Sequence, residues 1–159
     1  MADLEFNSIL HAIRNEIGMQ LVKTAPICRT VFATHAENDV LAEDKYVPTE
    51  YERRGADGGG IEDEKSYEIT VDVPNLEMTI ESTATGNPRY AGSKDGWDPG
   101  YITDIIESGD GYRWKRSEIF QERIPRPWMD KAGDDFVDNV LPIYIDGALT
   151  RLLGTGAVG

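Results

Sequence analysis

Cysteine is almost absent from this chain of 159 residues: Cys28 stands alone. One cysteine forms no intrachain disulfide and builds no zinc cluster of several thiolates. Histidine is nearly as scarce, with His11 and His35 the only two. A nucleophilic Cys28 needs one of them beside it, and a small buried residue is the simpler role for it. No run of 18 apolar residues occurs, which excludes a helical membrane span. The first residues, Met-Ala-Asp-Leu-Glu-Phe, lack the basic start and apolar core of a signal peptide. The expected site of synthesis is therefore a cytoplasm. No phosphate loop, dinucleotide-binding glycine turn, serine-nucleophile elbow or two-histidine helix motif is present.

Basic residues are also in deficit. Sixteen lysines and arginines face 29 aspartates and glutamates, for a net charge of −13. Such a chain repels a phosphate backbone and does not grip it, although DNA can still slide past its surface. Hydrophobic residues make up 40% and charged residues 28%, which suits one globular domain with one core.

Residues 4 to 25 read as an amphipathic helix. Phe6, Ile9, Ile13, Ile17 and Leu21 recur every three to four positions, with Leu10 beside them. Its apolar stripe is expected to pack on a sheet, and Pro26 to end it. Ile27 to Thr34 offers a short strand, and Glu37 to Asp44 a helical turn.

The stretch from Tyr46 to Asp63 has neither helical nor strand periodicity. Pro48 forbids a helix interior or a central strand, and Gly55, Gly58, Gly59 and Gly60 loosen the backbone. It nevertheless carries Tyr46, Tyr51, Arg53 and Arg54, groups that make anchored contacts. A long irregular segment in a compact domain is either a functional arm or a linker. The anchoring groups favour an arm over a floppy surface loop, with bounds at about 35–65.

Residues 66 to 82 alternate strictly. Tyr67, Ile69, Val71 and Val73 are separated by Glu68, Thr70 and Asp72, and Leu76, Met78 and Ile80 by Glu77, Thr79 and Glu81. Two period-two runs around Pro74-Asn75 predict an antiparallel hairpin. Its apolar face is assigned to the core, and Glu68, Asp72, Glu77 and Glu81 share the other face. Residues 83 to 100 are rich in turns, and 101 to 108 form a short helix or strand stopped by Gly109. Tyr112, Arg113, Trp114, Lys115, Arg116, Phe120 and Arg123 make the chain's basic, aromatic patch. It suits either phosphate or an acidic face of a neighbouring copy, and the second is preferred. Pro125 and Pro127 open a C-terminal helix with Met129, Ala132, Phe136, Val137, Val140 and Leu141 inward and Asp130, Asp134, Asp135 and Asp138 outward. Pro142 is expected to kink or break it, and residues 154–159 to fray. The fold class is α+β: a small antiparallel sheet with N-terminal and C-terminal helices packed on it and a long extended arm, in a single domain over 1–159.

The order of parts resembles the head–tail joining and tail-completion (neck) proteins of tailed bacteriophages. The likeness is carried by Thr24-Ala25-Pro26, by Tyr46-Val-Pro-Thr-Glu-Tyr-Glu-Arg-Arg-Gly55, by Ile105-Ile106-Glu107-Ser108-Gly109 and by Arg126-Pro127-Trp128. The family's Ala-Pro-x-x-Thr-Gly run is partly kept, with Val31 in place of its glycine. The resemblance implies a virion structural protein without catalysis, cofactor or metal. It further implies a homo-oligomeric ring of six or twelve copies around a DNA channel, bound to adjacent neck or tail proteins. DNA would pass without sequence-specific binding, and no membrane would be involved. Within such a ring, Tyr46, Pro48, Tyr51, Arg53, Arg54, Arg126 and Trp128 are the candidate intersubunit contacts. Glu68, Asp72, Glu77, Glu81, Asp134 and Asp138 are candidates for the lumen, or equally for an outer face kept acidic for solubility. Alternatives are a tail terminator or capsid-associated protein, a metal-dependent nuclease using Glu62 and Asp63, and an acidic inhibitor that mimics DNA.

Overall fold

A computed structural model of the chain describes residues 2–42, 58–85, 102–109 and 125–154. Helix α1 spans Ala2–His35 and runs into a π-helical turn, Ala36–Val40. A 3-10 turn, Glu64–Ser66, leads into strands β1 (Tyr67–Asp72) and β2 (Glu77–Ser82). The short helix α2 covers Thr103–Ser108. Helix α3 (Met129–Asp135), a second π-helical turn (Phe136–Val140) and helix α4 (Leu141–Gly154) then follow without a break. N- and C-terminal helices around a small two-stranded antiparallel sheet make this an α+β fold.

Helix α1 does not stop at Pro26, and the strand expected over Ile27 to Thr34 is its second half. Proline in a helix deletes one backbone donor. Here it sits on the exposed side of the helix. The turns beyond it bury Cys28, Phe32, Ala33 and, in the π turn, Ala36 and Val40, and that burial outweighs the local penalty. Thr24 Oγ1 donates to the Gln20 carbonyl at 2.8 Å, the i−4 bond by which a helical threonine satisfies its buried hydroxyl.

Pro142 likewise fails to break the C-terminal helix. The Leu141 amide bonds back five residues, to Phe136. One extra residue in the turn therefore precedes the proline, a usual way to absorb such a ring. Residues from Pro125 to Trp128 are not helical, and α3 starts at Met129.

The core has two joined parts. Cys28, Phe32 and Ala33 of α1 meet Tyr67 of β1 and Ala132 and Phe136 of the C-terminal helices, with Ile69, Met78 and Ile80 closing the side below the hairpin. Ala36, Val40, Ile61, Ala84 and Trp128 form the second part. The stripe of α1 is thus shared between helices and hairpin, and does not rest on the sheet alone. Its first turns overhang: Phe6 and Ile9 are 61% and 51% exposed. The bounds given to the arm shrink at both ends. Residues 36 to 40 are helical, and Ile61 and Asp63 are buried.

Candidate functional site

The hairpin puts the predicted acidic set on one surface. In the register Glu68 faces Glu81, Thr70 faces Thr79 and Asp72 faces Glu77, and all six are exposed. Directly opposed residues sit about 5 Å apart at Cβ, where like charges repel. Among the described residues no cation pairs with Glu68, Glu77 or Glu81. Asp72 has a second task. Its Oδ1 accepts from the Asn75 amide at 3.1 Å and its Oδ2 from the Asn75 side chain at 2.8 Å, which closes the turn. Leu76 takes a left-handed φ of 56° there, a conformation that costs energy outside glycine.

Two contacts pin this turn to α1. Arg14 donates to the Pro74 carbonyl at 3.1 Å, and Gly18 lets Val73 lie directly on the helix backbone. The acidic face is therefore held at a fixed orientation on the long helix. Asp134 and Asp138 are exposed too, on α3 and its π turn. Those elements and the hairpin flank the same core, so the six acids fall on two surfaces.

Trp128, a predicted intersubunit contact, has no exposed surface. Its indole N–H donates to the Tyr67 hydroxyl at 3.1 Å, which in turn donates to the Ile61 carbonyl. Its burial inside one chain accounts for the aromatic residue after Pro127. The position is fixed from α2, where Glu107 Oε1 accepts both the Trp128 and Met129 amides at 2.8 Å. The carboxylate caps the start of α3, which has no side-chain cap from Trp128 itself. The Arg126 amide bonds the Ile106 carbonyl at 3.0 Å, and its side chain is half-buried. The apolar surroundings push the Tyr67 phenol well above its usual range, against the pull of the Trp128 bond. Tyr67 therefore stays protonated and works as a structural donor. Tyr46, Pro48, Tyr51, Arg53 and Arg54 lie outside the described residues.

Asp63, one of the two carboxylates considered for a nuclease, is placed by turn chemistry. Asp63 is buried. Its Oδ1 accepts from the Lys65 amide at 2.9 Å and its Oδ2 from the Gly59 amide at 2.8 Å. Gly59 adopts a φ of 74° to make that bond. Among the described residues no group of three or more His, Cys, Asp or Glu side chains is arranged to hold a metal ion. No helix in the described residues is long and apolar enough to cross a membrane.

One polar cluster escaped the sequence reading. His35 Nδ1 lies 2.8 Å from Asp39 Oδ2, and His35 Nε2 lies 3.3 Å from Asp135 Oδ2. Lys131 Nζ is 3.8 Å from Asp39 Oδ1, so α1 and α3 run antiparallel here. The His35–Asp39 spacing of four was legible in a helix; the partner a hundred residues on was not.

The family model described as YomN matches residues 7–153. No curated protein matches the chain, and no solved structure does.

Proposed function

The chain belongs to the YomN family, which is phage-derived, and we propose that it is a virion structural protein of the head–tail interface. In this reading, identical copies form a ring around the DNA channel and join adjacent rings. The observation that carries it is the outward face of the hairpin. Four carboxylates are set there as two opposed like-charged pairs, an arrangement that costs stability in a lone subunit. Beside a passing polyanion it acts as a non-stick wall. Subunit contacts are heterologous, as ring closure requires. They are supplied by the Tyr46–Arg54 segment and by the basic residues Arg113, Lys115, Arg116 and Arg123, which suit an acidic patch on the next copy.

The test is assembly. Removing residues 46–56 spares Ile61 and the buried turn around Asp63, so the subunit should keep its helical circular dichroism and its melting transition. Native mass spectrometry and the yield of complete particles should both show loss of assembly. Full particles containing the shortened chain would refute the arm's role. Localisation of the protein away from the portal–tail junction in particle images would refute the placement.

A further inference from the structure

Both ring nitrogens of His35 face carboxylate oxygens, from two different helical segments. A carboxylate only accepts hydrogen bonds, and a neutral imidazole has one N–H and one bare lone pair. Only the doubly protonated ring donates in both directions at once. We propose that His35 is a proton-dependent clasp, closed when the imidazole carries both protons, which ties the end of α1 to α3.

The surrounding groups fit this arrangement. Asp135 is held below the ordinary carboxylate range, first by the Asn139 amide and then by His35 itself, so it does not supply the missing proton. Asn139 bonds its Oδ1 at 2.8 Å and leaves Oδ2 to the imidazole. Lys131 Nζ lies 3.8 Å from the other oxygen of Asp39, Oδ1. The other charges carried by elements packed on α1 are Glu37 of the π turn, Glu64 and Lys65 of the 3-10 turn, Glu68 and Asp72 of β1, Asp130 and Asp134 of α3, and Asp146 and Arg151 of α4. None of these bonds a ring nitrogen of His35.

Loss of one proton turns one contact into a lone pair facing a carboxylate. The longer bond, to Asp135, is the one that yields, and it is the bond between helices. His35 and Asp135 are also the residues immediately before the two π-helical turns. Such turns mark places where a helix trades regularity for a task. The clasp therefore controls the junction of the two turns, at the base of the segment read from sequence as an arm.

The sign follows from proton linkage. The clasp needs the second ring proton, so its contribution is present while both ring nitrogens donate and is lost when one proton leaves. Through this contact the melting temperature should fall as the second ring proton is lost. Asp135→Asn offers the bare nitrogen an amide donor, and that part of the fall should vanish. His35→Gln should abolish it as well, while His11→Gln should leave it intact. Equal slopes for the wild-type protein and Asp135→Asn would overturn the proposal. So would a 15N spectrum of the unaltered protein at about pH 6 showing His35 as a single-proton tautomer; two protonated ring nitrogens are expected.

Discussion

Gly18 is the position at which two opposing effects can be weighed most directly. Glycine inside a helix costs about 1 kcal/mol relative to alanine, so Gly18→Ala would stabilise an isolated α1. In the folded chain the new Cβ would lie 2.5 Å from Val73 Cγ1, 3.4 Å from Val73 Cβ and 3.6 Å from the Val73 carbonyl oxygen. Carbon atoms rest at about 3.5–4.0 Å, so the turn must retreat by roughly 1 Å or valine must leave its rotamer. Retreat is opposed by the Arg14–Pro74 bond and by the Leu76–Val73 turn bond. Overpacking of this kind costs about 1–3 kcal/mol. The net effect of Gly18→Ala should thus lie between neutrality and about 2 kcal/mol of destabilisation, or up to about 8 °C in melting temperature. The decisive measurement is a double-mutant cycle by urea denaturation. Val73→Ala removes Cγ1, and in that background Gly18→Ala should recover its helical gain of about 1 kcal/mol. A coupling of about 1–3 kcal/mol is expected. A full helical gain from Gly18→Ala alone, with no coupling, would show that the hairpin does not seat on α1 and would release the acidic face from its fixed orientation.

Two other substitutions or reagents report on the core. Tyr67→Phe leaves the Trp128 indole N–H and the Ile61 carbonyl without their partner and should cost about 1–3 kcal/mol in chemical denaturation. Cys28 is wholly buried, and its thiol is pushed up to about 12 by that burial. It should resist aromatic disulfide reagents at about pH 8 and react only as fast as the chain unfolds; prompt stoichiometric labelling of folded protein would contradict the packing of α1 beyond Pro26.

The hairpin was legible because its pattern and its burial have the same period. Alternation from Tyr67 to Glu81 dictates which side chains share a face, and the turn at Pro74-Asn75 sets the register. Gly109 ended α2 as read, with a left-handed φ of 71°. The two prolines misled because local chemistry was read without the tertiary term. Pro26 and Pro142 each remove one donor, while the turns beyond Pro26 bury a large part of the core. Trp128 misled in another way. An aromatic residue after Pro-Arg-Pro is the same letter whether it anchors a neighbour or fills the centre of its own chain. What placed it was Glu107, twenty-one residues earlier, through a cap that no local pattern announces.

The acidic hairpin face and the apolar overhang of α1 violate the economy of a lone domain in complementary ways. Opposed carboxylates gain nothing from one another, and Thr70–Thr79 between them offers only a weak cross-strand contact. Phe6, Ile9 and Leu10 continue the apolar stripe of half-buried Ile13 and Ile17 and buried Leu21 past the place where its cover ends. Gly18 and Arg14 meanwhile hold the hairpin turn against the same helix, and Asp72 closes the turn, with strain accepted at Leu76. A chain selected only for its own stability would relax these features, since single surface changes of charge or size are cheap. Their joint presence on one helix–hairpin unit is what the ring we propose would use, the acidic face beside DNA and the apolar overhang against protein.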